Sequence, residues 1–239
     1  MYISTSAIVL NRIKHTDSAL ITTLYTQQMG SVTFAVKIPK TARAQIKPAL
    51  FQPLNQLHIE WEHKPNSTLQ RLRNVHVLVP YATLSTHPQK ATIATFLSEA
   101  LFHALRQEHQ GELFPFLETS LLWFDSVTDN YRDFHIIFLI KLARFLGFEP
   151  ITENPEHYEF FDLINADYTP LRPTHNYYLT TGDSKYITSL CTAQYHNIHR
   201  LNITADQRDR ALRIITTYLK LHIPGFPHLN SITLLNSMS

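Results

Sequence analysis

The stretch Leu54-Asn55-Gln56-Leu57-His58-Ile59-Glu60-Trp61-Glu62 alternates residue by residue, with Leu57, Ile59 and Trp61 on one face and His58, Glu60 and Glu62 on the other. A period of two with one apolar face describes a strand that covers a core on one side and meets water on the other. The same period recurs upstream at Ala7 to Ile13, Ala19 to Thr26 and Ser31 to Ile38, and downstream at Leu69 to Val79. Five such strands in succession predict a small β-barrel. Gln28-Met29-Gly30-Ser31 supplies the turn between the second and third strands. Tyr25, Phe34 and Phe51 are candidate platforms for stacking unpaired bases. The parity that Phe34 shares with Val32 and Val36 assigns Phe34 to the core instead.

Charge is distributed unevenly over this pattern. No Asp or Glu occurs between Ser18 and Ile59, whereas Lys37, Lys40, Arg43 and Lys47 crowd the connection between the third and fourth strands. Pro39 and Pro48 argue against regular structure in that connection. Residues 1–98 hold ten Lys/Arg against three Asp/Glu, a balance of +7, and residues 99–239 hold eleven against sixteen, a balance of −5, within a net charge of +2. A one-sign surface on a small barrel suits a polyanion, and Arg12, Lys14, Lys37, Lys40, Arg43, Lys47, Arg71 and Arg73 are the candidate phosphate contacts. A merely solvated surface explains scattered lysines, but less readily an acid-free stretch of this length.

After Thr86-His87-Pro88 the period changes to three and four, carried by Ile93, Phe96, Leu97, Ala100, Leu101, Ala104 and Leu105. Further helical patterns cover Leu113 to Val127, Tyr131 to Leu146, Asp183 to Ala193 and Asp206 to His222, with Gly147 and Pro224-Gly225 as stops and a short last helix after Pro227. Between Phe148 and Thr181 lies an irregular insertion with a short hairpin, anchored by Phe160-Phe161-Asp162-Leu163 and Tyr177-Tyr178-Leu179. The fold class is therefore α+β, a five-stranded barrel over residues 1–82 followed by an all-α domain over residues 83–239. Within the helix around Phe138, Lys141 and Arg144 place cations beside an unusually apolar face, a setting for an acidic peptide tail. An ordinary core helix whose cations reach solvent fits the same pattern. Arg208, Arg210, Arg213 and Lys220 make the late helix basic as well.

Catalytic signatures are scarce. The glycines at 30, 111, 147, 182 and 225 are too scattered for a phosphate-cradling loop. With one cysteine, Cys191, the chain builds neither an internal disulfide nor a thiolate zinc cluster, and its apolar setting marks Cys191 as a core residue. His196 and His199 read as surface histidines. Asp125, Asp129 and Asp133 are four apart, but Thr128-Asp129-Asn130-Tyr131 interrupts any helix that would align them. The expectations are no enzyme activity, no cofactor and no metal. The longest aliphatic and aromatic run, Ile136 to Ile140, is far too short to cross a bilayer, which predicts a soluble, cytoplasmic protein without a membrane partner.

The opening Ser6-Ala7-Ile8-Val9-Leu10-Asn11-Arg12-Ile13-Lys14-His15-Thr16-Asp17-Ser18-Ala19-Leu20-Ile21 resembles the start of the RecO family of bacterial recombination mediators, where two strands open an OB-fold. The resemblance continues through Leu24 to Gly30, resumes at Phe145-Leu146-Gly147-Phe148-Glu149-Pro150, and returns in Tyr218-Leu219-Lys220-Leu221-His222 and Leu229-Asn230-Ser231. Many members carry a four-cysteine zinc motif directly after the segment matching Gly147 to Pro150. This chain has none, and Ile151 to Thr181 is similar to the zinc-free members. The resemblance implies a non-enzymatic, nucleoid-associated protein that binds single- and double-stranded DNA and anneals complementary strands. It also implies that the protein helps RecA displace single-strand binding protein. Its implied partners are RecR and the acidic C-terminal tail of single-strand binding protein, the latter placed around Arg132, Lys141 and Arg144. Two rival readings use the same residues. One is an OB-fold module that prefers RNA, and the other is a protein adaptor whose basic loop docks an acidic partner.

Overall fold

Strand β1 (Tyr2–Thr16) is long enough to serve two neighbours. Its first half pairs antiparallel with β4 (Gln56–Glu62) and its second half with β2 (Ala19–Thr26). The computed structural model, which describes residues 1–39, 46–106, 111–151 and 159–236, completes a closed barrel in the order β1-β2-β3-β5-β4. β3 (Gly30–Lys37) meets β5 (Gln70–Val79) in parallel through Phe34↔Gln70 and Ala35↔Arg71, and this short contact closes the cylinder. The predicted alternation is realised: Leu57, Ile59 and Trp61 point inward and are fully buried, joined by Leu24, Phe34 and Val36. Phe34 meets Trp61 edge to face at 5.3 Å, a geometry that suits the ring quadrupoles. Gly30 takes a positive φ of 65° at the β2–β3 turn, a backbone state open to glycine at little cost.

By contacts the chain falls into two units, residues 1–126 with the carboxy-terminal segment from Leu229, and residues 127–228. In the first, α1 (Pro88–Ala104) lies on the barrel, where Ser98 Oγ donates to the Leu10 carbonyl and Ser31 Oγ to the Leu105 carbonyl, both at 2.6 Å. Pro88 at the first helical position lacks the N–H that would otherwise have no acceptor there. The last turn of α2 (Leu113–Ser126) carries Asp125, whose carboxylate accepts the successive backbone N–H groups of Ala82, Thr83 and Leu84 at 2.9, 2.8 and 2.7 Å. Lys90 is 2 % exposed, and its ammonium donates to Thr83 Oγ1 at 2.7 Å and to the Asp125 carbonyl at 2.9 Å. The turn between barrel and helices is thereby fastened from both sides. Glu99 does the same for the last helix, α6 (Ile232–Asn236), accepting the N–H groups of Asn230 and Ser231 at 2.9 Å and the Ser231 hydroxyl.

The second unit is built on α3 (Phe134–Phe145), which is buried almost all round. It stops at Gly147 with φ 82°, where Phe148 N–H reaches the Ala143 carbonyl and Gly147 N–H the Arg144 carbonyl, a Schellman closure. The insertion differs from the expected hairpin: β6 (Phe160–Asp162) lies between β7 (Asp167–Thr169) and β8 (Tyr178–Thr180) in a three-stranded sheet. The extra strand comes from the Tyr177-Tyr178-Leu179 anchor, which pairs with β6 over a separation that local sequence does not reveal. Asp162 organises the intervening turn by accepting the N–H of Ile164 at 2.8 Å and of Asn165 at 3.3 Å, with His175 at 3.3 Å. α4 (Thr181–Thr192) follows, and α5 (Ala205–His222) begins with a reciprocal Thr204–Gln207 capping box.

Asp125 shows the electrostatic consequence of this packing. Burial pushes its pKa up, but the N–H groups of Ala82, Thr83 and Leu84 and the Thr83 hydroxyl outweigh it and hold the carboxyl below its ordinary 3.8. Asp125→Ala leaves the Ala82, Thr83 and Leu84 N–H groups without their acceptor, while the Asp125 carbonyl that Lys90 reaches remains, and is expected to destabilise the protein by about 1–3 kcal/mol in urea unfolding at neutral pH. A carboxylate with a lowered folded-state pKa stabilises above its unfolded value, and this contribution disappears as pH falls through the folded value. The stability difference between wild type and variant should therefore shrink as the solution is acidified below 3.8.

Candidate nucleic-acid interface

The strand register gathers four of the predicted phosphate contacts at one end of the barrel. Lys14 pairs with Leu20, and Lys37 with Ala19, so β2 alone separates the two cations, an interval of roughly 10 Å. The Ile38 N–H donates to the Ser18 carbonyl at 2.7 Å and holds the end of β3 against the β1–β2 turn. Arg12 Nη1 donates to the Pro48 carbonyl at 3.2 Å, which brings its guanidinium beside Lys47. Arg12, Lys14, Lys37 and Lys47 are all exposed. Lys14 also pairs with Asp17 at 2.8 Å, with both side chains more than three-quarters exposed, so water screens the contact. Lys40 and Arg43 lie outside the described residues.

Arg71 and Arg73 stand apart from that end, on the outer face where β5 meets β3. Together with Lys64 they line a groove of about 660 Å³ that also includes Ala35 and Glu62. Gln70 fixes the approach of Lys64: its side-chain oxygen accepts the Lys64 N–H at 3.0 Å, while its amide donates to the carbonyls of Lys64 and Ser67 at 2.9 and 2.6 Å. Ala35 pairs with Arg71, and Lys37 lies two residues along β3 on the same face, which joins the groove to the barrel-end cations. Arg73 lies over the Tyr2 ring at 5.6 Å. The Tyr2 hydroxyl donates to Glu60 at 2.7 Å and Asn74 to the same oxygen at 3.2 Å, and these two bonds hold the Glu60 carboxyl below its ordinary 4.5.

The candidate stacking rings are not available on this surface. Phe34 and Phe51 are fully buried, and Tyr25 is 1 % exposed. Phe51 ends a 3-10 turn, Pro48–Phe51, that packs into the barrel core, and Tyr25 stacks against Phe114 of α2 at 6.3 Å. Strand parity alone does not reveal a ring covered by a helix or a turn. Two further cations of the outer face are not singled out by the sequence pattern: Lys64 in the groove above, and Arg106 just beyond α1, over the Phe102 ring at 5.5 Å. The spacing of Phe102 and Arg106, four apart along a helical pattern, was the available signal.

In the second unit, Lys141 and Arg144 share one face of α3, while Arg132 precedes its first turn, roughly 18 Å from Arg144 along the axis. Lys141 donates to the Gln194 side chain at 2.9 Å and lies 5.7 Å from the Tyr195 ring centre. Burial, then Arg144, lowers its pKa from 10.5. Arg144 faces Glu149 at 3.7 Å. Two cations of the late helix are spent internally, Arg208 on Asp133 at 2.5 Å and Arg210 on Asp183 at 2.6 Å. Cys191 is half-buried with its thiol pushed up to about 12 by burial, and His196 and His199 are exposed in the 3-10 turn Tyr195–Leu201. Among the described residues no three His, Cys, Asp or Glu side chains converge, and no helix is long and apolar enough to cross a membrane.

Residues 1–81 match the family model described as recombination protein O N terminal, and residues 86–231 match recombination protein O C terminal. Among curated proteins, the chain is 35% identical over 235 residues to the DNA repair protein RecO of Phocaeicola vulgatus, covering 98% of both chains. It is 34% identical over 236 residues to that of Bacteroides fragilis, again covering 98% of both. The RecO protein of Flavobacterium psychrophilum is 31% identical over 240 residues, covering 100% of this chain and 99% of the relative.

The outer-face electrostatics are open to direct measurement. Tyr2→Phe removes the strongest donor to Glu60, so the Glu60 carboxyl should titrate closer to 4.5 in the variant than in the wild type, as followed by carboxyl-carbon NMR.

Proposed function

Because the chain belongs to the recombination protein O family of DNA repair proteins, we propose that its barrel binds single- and double-stranded DNA through phosphates and acts without chemical catalysis. The observation that supports this most is the gathering of Arg12, Lys14, Lys37 and Lys47 around one barrel end, beside a chain segment with no acid between Ser18 and Ile59. Such contacts hold a strand in register without reading its bases. Annealing follows from the same charge: two strands that repel each other approach once their phosphates are neutralised, and no proton or bond need be moved. In this reading residues 1–82 carry the DNA and residues 83–239 carry the protein contacts. RecR and the acidic tail of single-strand binding protein are the proposed partners, with Lys141 and Arg144 offering the tail its cations and Arg132 a separate one. The outcome is help for RecA in replacing single-strand binding protein on DNA.

The test is fluorescence anisotropy of a labelled single strand across a salt series, for the wild type and for a variant with Lys37, Lys40, Arg43 and Lys47 changed to Ala. Each lost phosphate contact should flatten the log–log salt slope by about 0.7 and weaken binding. Absence of wild-type binding at low salt overturns the DNA role and directs the search to protein partners.

A further inference from the structure

On the outer face of the barrel, Asn11, Ile13, Ile21, Thr23, Thr33 and the α1 end form the walls of a second groove, of about 380 Å³, containing Phe102 and Arg106. Its size falls among small-ligand sites, which run from about 300 to 1,000 Å³. The floor is neutral and short: Thr23 and Thr33 hydroxyls satisfy each other at 3.0 Å, and Ile13 is 58% exposed. No described residue lining it is acidic. The wall is a half-buried ring with a planar cation over it, Arg106 lying 5.5 Å from the centre of Phe102. Ser31 fixes that wall to the sheet through its bond to the Leu105 carbonyl.

The register connects this groove to the cationic groove of Lys64, Arg71 and Arg73. Ile13 pairs with Ile21, Ile21 with Ala35 and Ala35 with Arg71, a single outward row across four strands. The row spans roughly 14 Å. A different exit runs along α1 past Asn11 and Phe102 into a groove of about 610 Å³, but there Arg12 is set against Glu99, whereas the groove across the sheet sets Lys64, Arg71 and Arg73 against Glu62 alone. Phosphates therefore favour the sheet over the helix.

We propose that a single strand of DNA crosses this outer face, with one unpaired base stacked on the Phe102–Arg106 platform and the phosphates running toward Arg71 and Arg73. The proposal rests on the DNA-binding reading above and adds the ring that the buried Tyr25, Phe34 and Phe51 do not supply. Stacking needs an exposed π-face, which a base within a duplex does not offer, so Phe102 separates single from double strands. Arg106 contributes charge to both.

The test compares anisotropy titrations of a labelled single strand of about 12 nucleotides, inside the range of OB-fold sites, with a duplex of the same length. The proteins are wild type, Phe102→Leu, Phe102→Trp and Arg106→Gln, each checked for an unchanged melting temperature. Phe102→Leu should weaken single-strand binding about ten-fold with its salt slope intact, leave duplex binding unchanged, and be rescued by Phe102→Trp. Arg106→Gln should flatten the slope by about 0.7. Single-strand affinity unaltered in Phe102→Leu, or an equal loss for the duplex, overturns the platform while the barrel-end reading stands. If the wild type binds neither probe, the DNA reading itself fails, and the platform with it.

Discussion

A single carboxylate, Asp125, holds together the part of the chain that has to present the barrel. Three successive backbone N–H groups at the end of β5's connection point at one side chain on α2, and a buried ammonium, Lys90, closes the arrangement from the other side. These groups are costly to bury singly and stabilising together, because each supplies the partner that water would otherwise provide. With the turn fixed, α1 is set down along β1 and α2 covers Tyr25. The inner surface of the barrel then belongs entirely to packing, and what remains for function is the outside and the open end.

The outside is charged by topology as much as by composition. Cations that are far apart in sequence come together at the barrel end, Arg12 and Lys47 because Arg12 bonds the Pro48 carbonyl, Lys14 and Lys37 because β2 alone lies between their strands. The second unit treats its arginines differently. Arg208 and Arg210 each find an aspartate within the same unit, so the basic character of that helix is largely used for its own cohesion. The contrast follows from the supply of acids: the first 98 residues offer three and the remainder sixteen.

Much of the barrel was legible because alternation is a strong signal where one face is dry, and the buried row Leu57, Ile59 and Trp61 sits where the pattern put it. The start of β1 was less visible: Tyr2 to Ser6 has Ile3 as its one aliphatic side chain, and its pairing with β4 comes from a strand more than fifty residues away. Phe51 and Tyr25 show the same limit, since their burial comes from a 3-10 turn and a helix distant in sequence. The helix end at Gly147 was readable, whereas the third strand of the small sheet was not, because pairing between Asp162 and Tyr178 leaves no local periodicity. At the interface, the charges near the barrel end were read from their crowding. Lys64 is isolated in sequence and gains company only through the fold, and Arg106 shows only the four-residue spacing to Phe102, a weak signal on its own.

The Lys14–Asp17 pair on the β1–β2 turn has a consequence of its own. A lysine that meets a phosphate ordinarily sheds a mobile ion into solution, and the entropy of that departure is a main source of affinity. Lys14 carries a tethered counterion instead. Under the proposed DNA binding, a phosphate at Lys14 would displace a carboxylate that stays attached to the chain, although water already screens this exposed pair. On the proposed DNA-binding reading, a contact at this position would cost little to break.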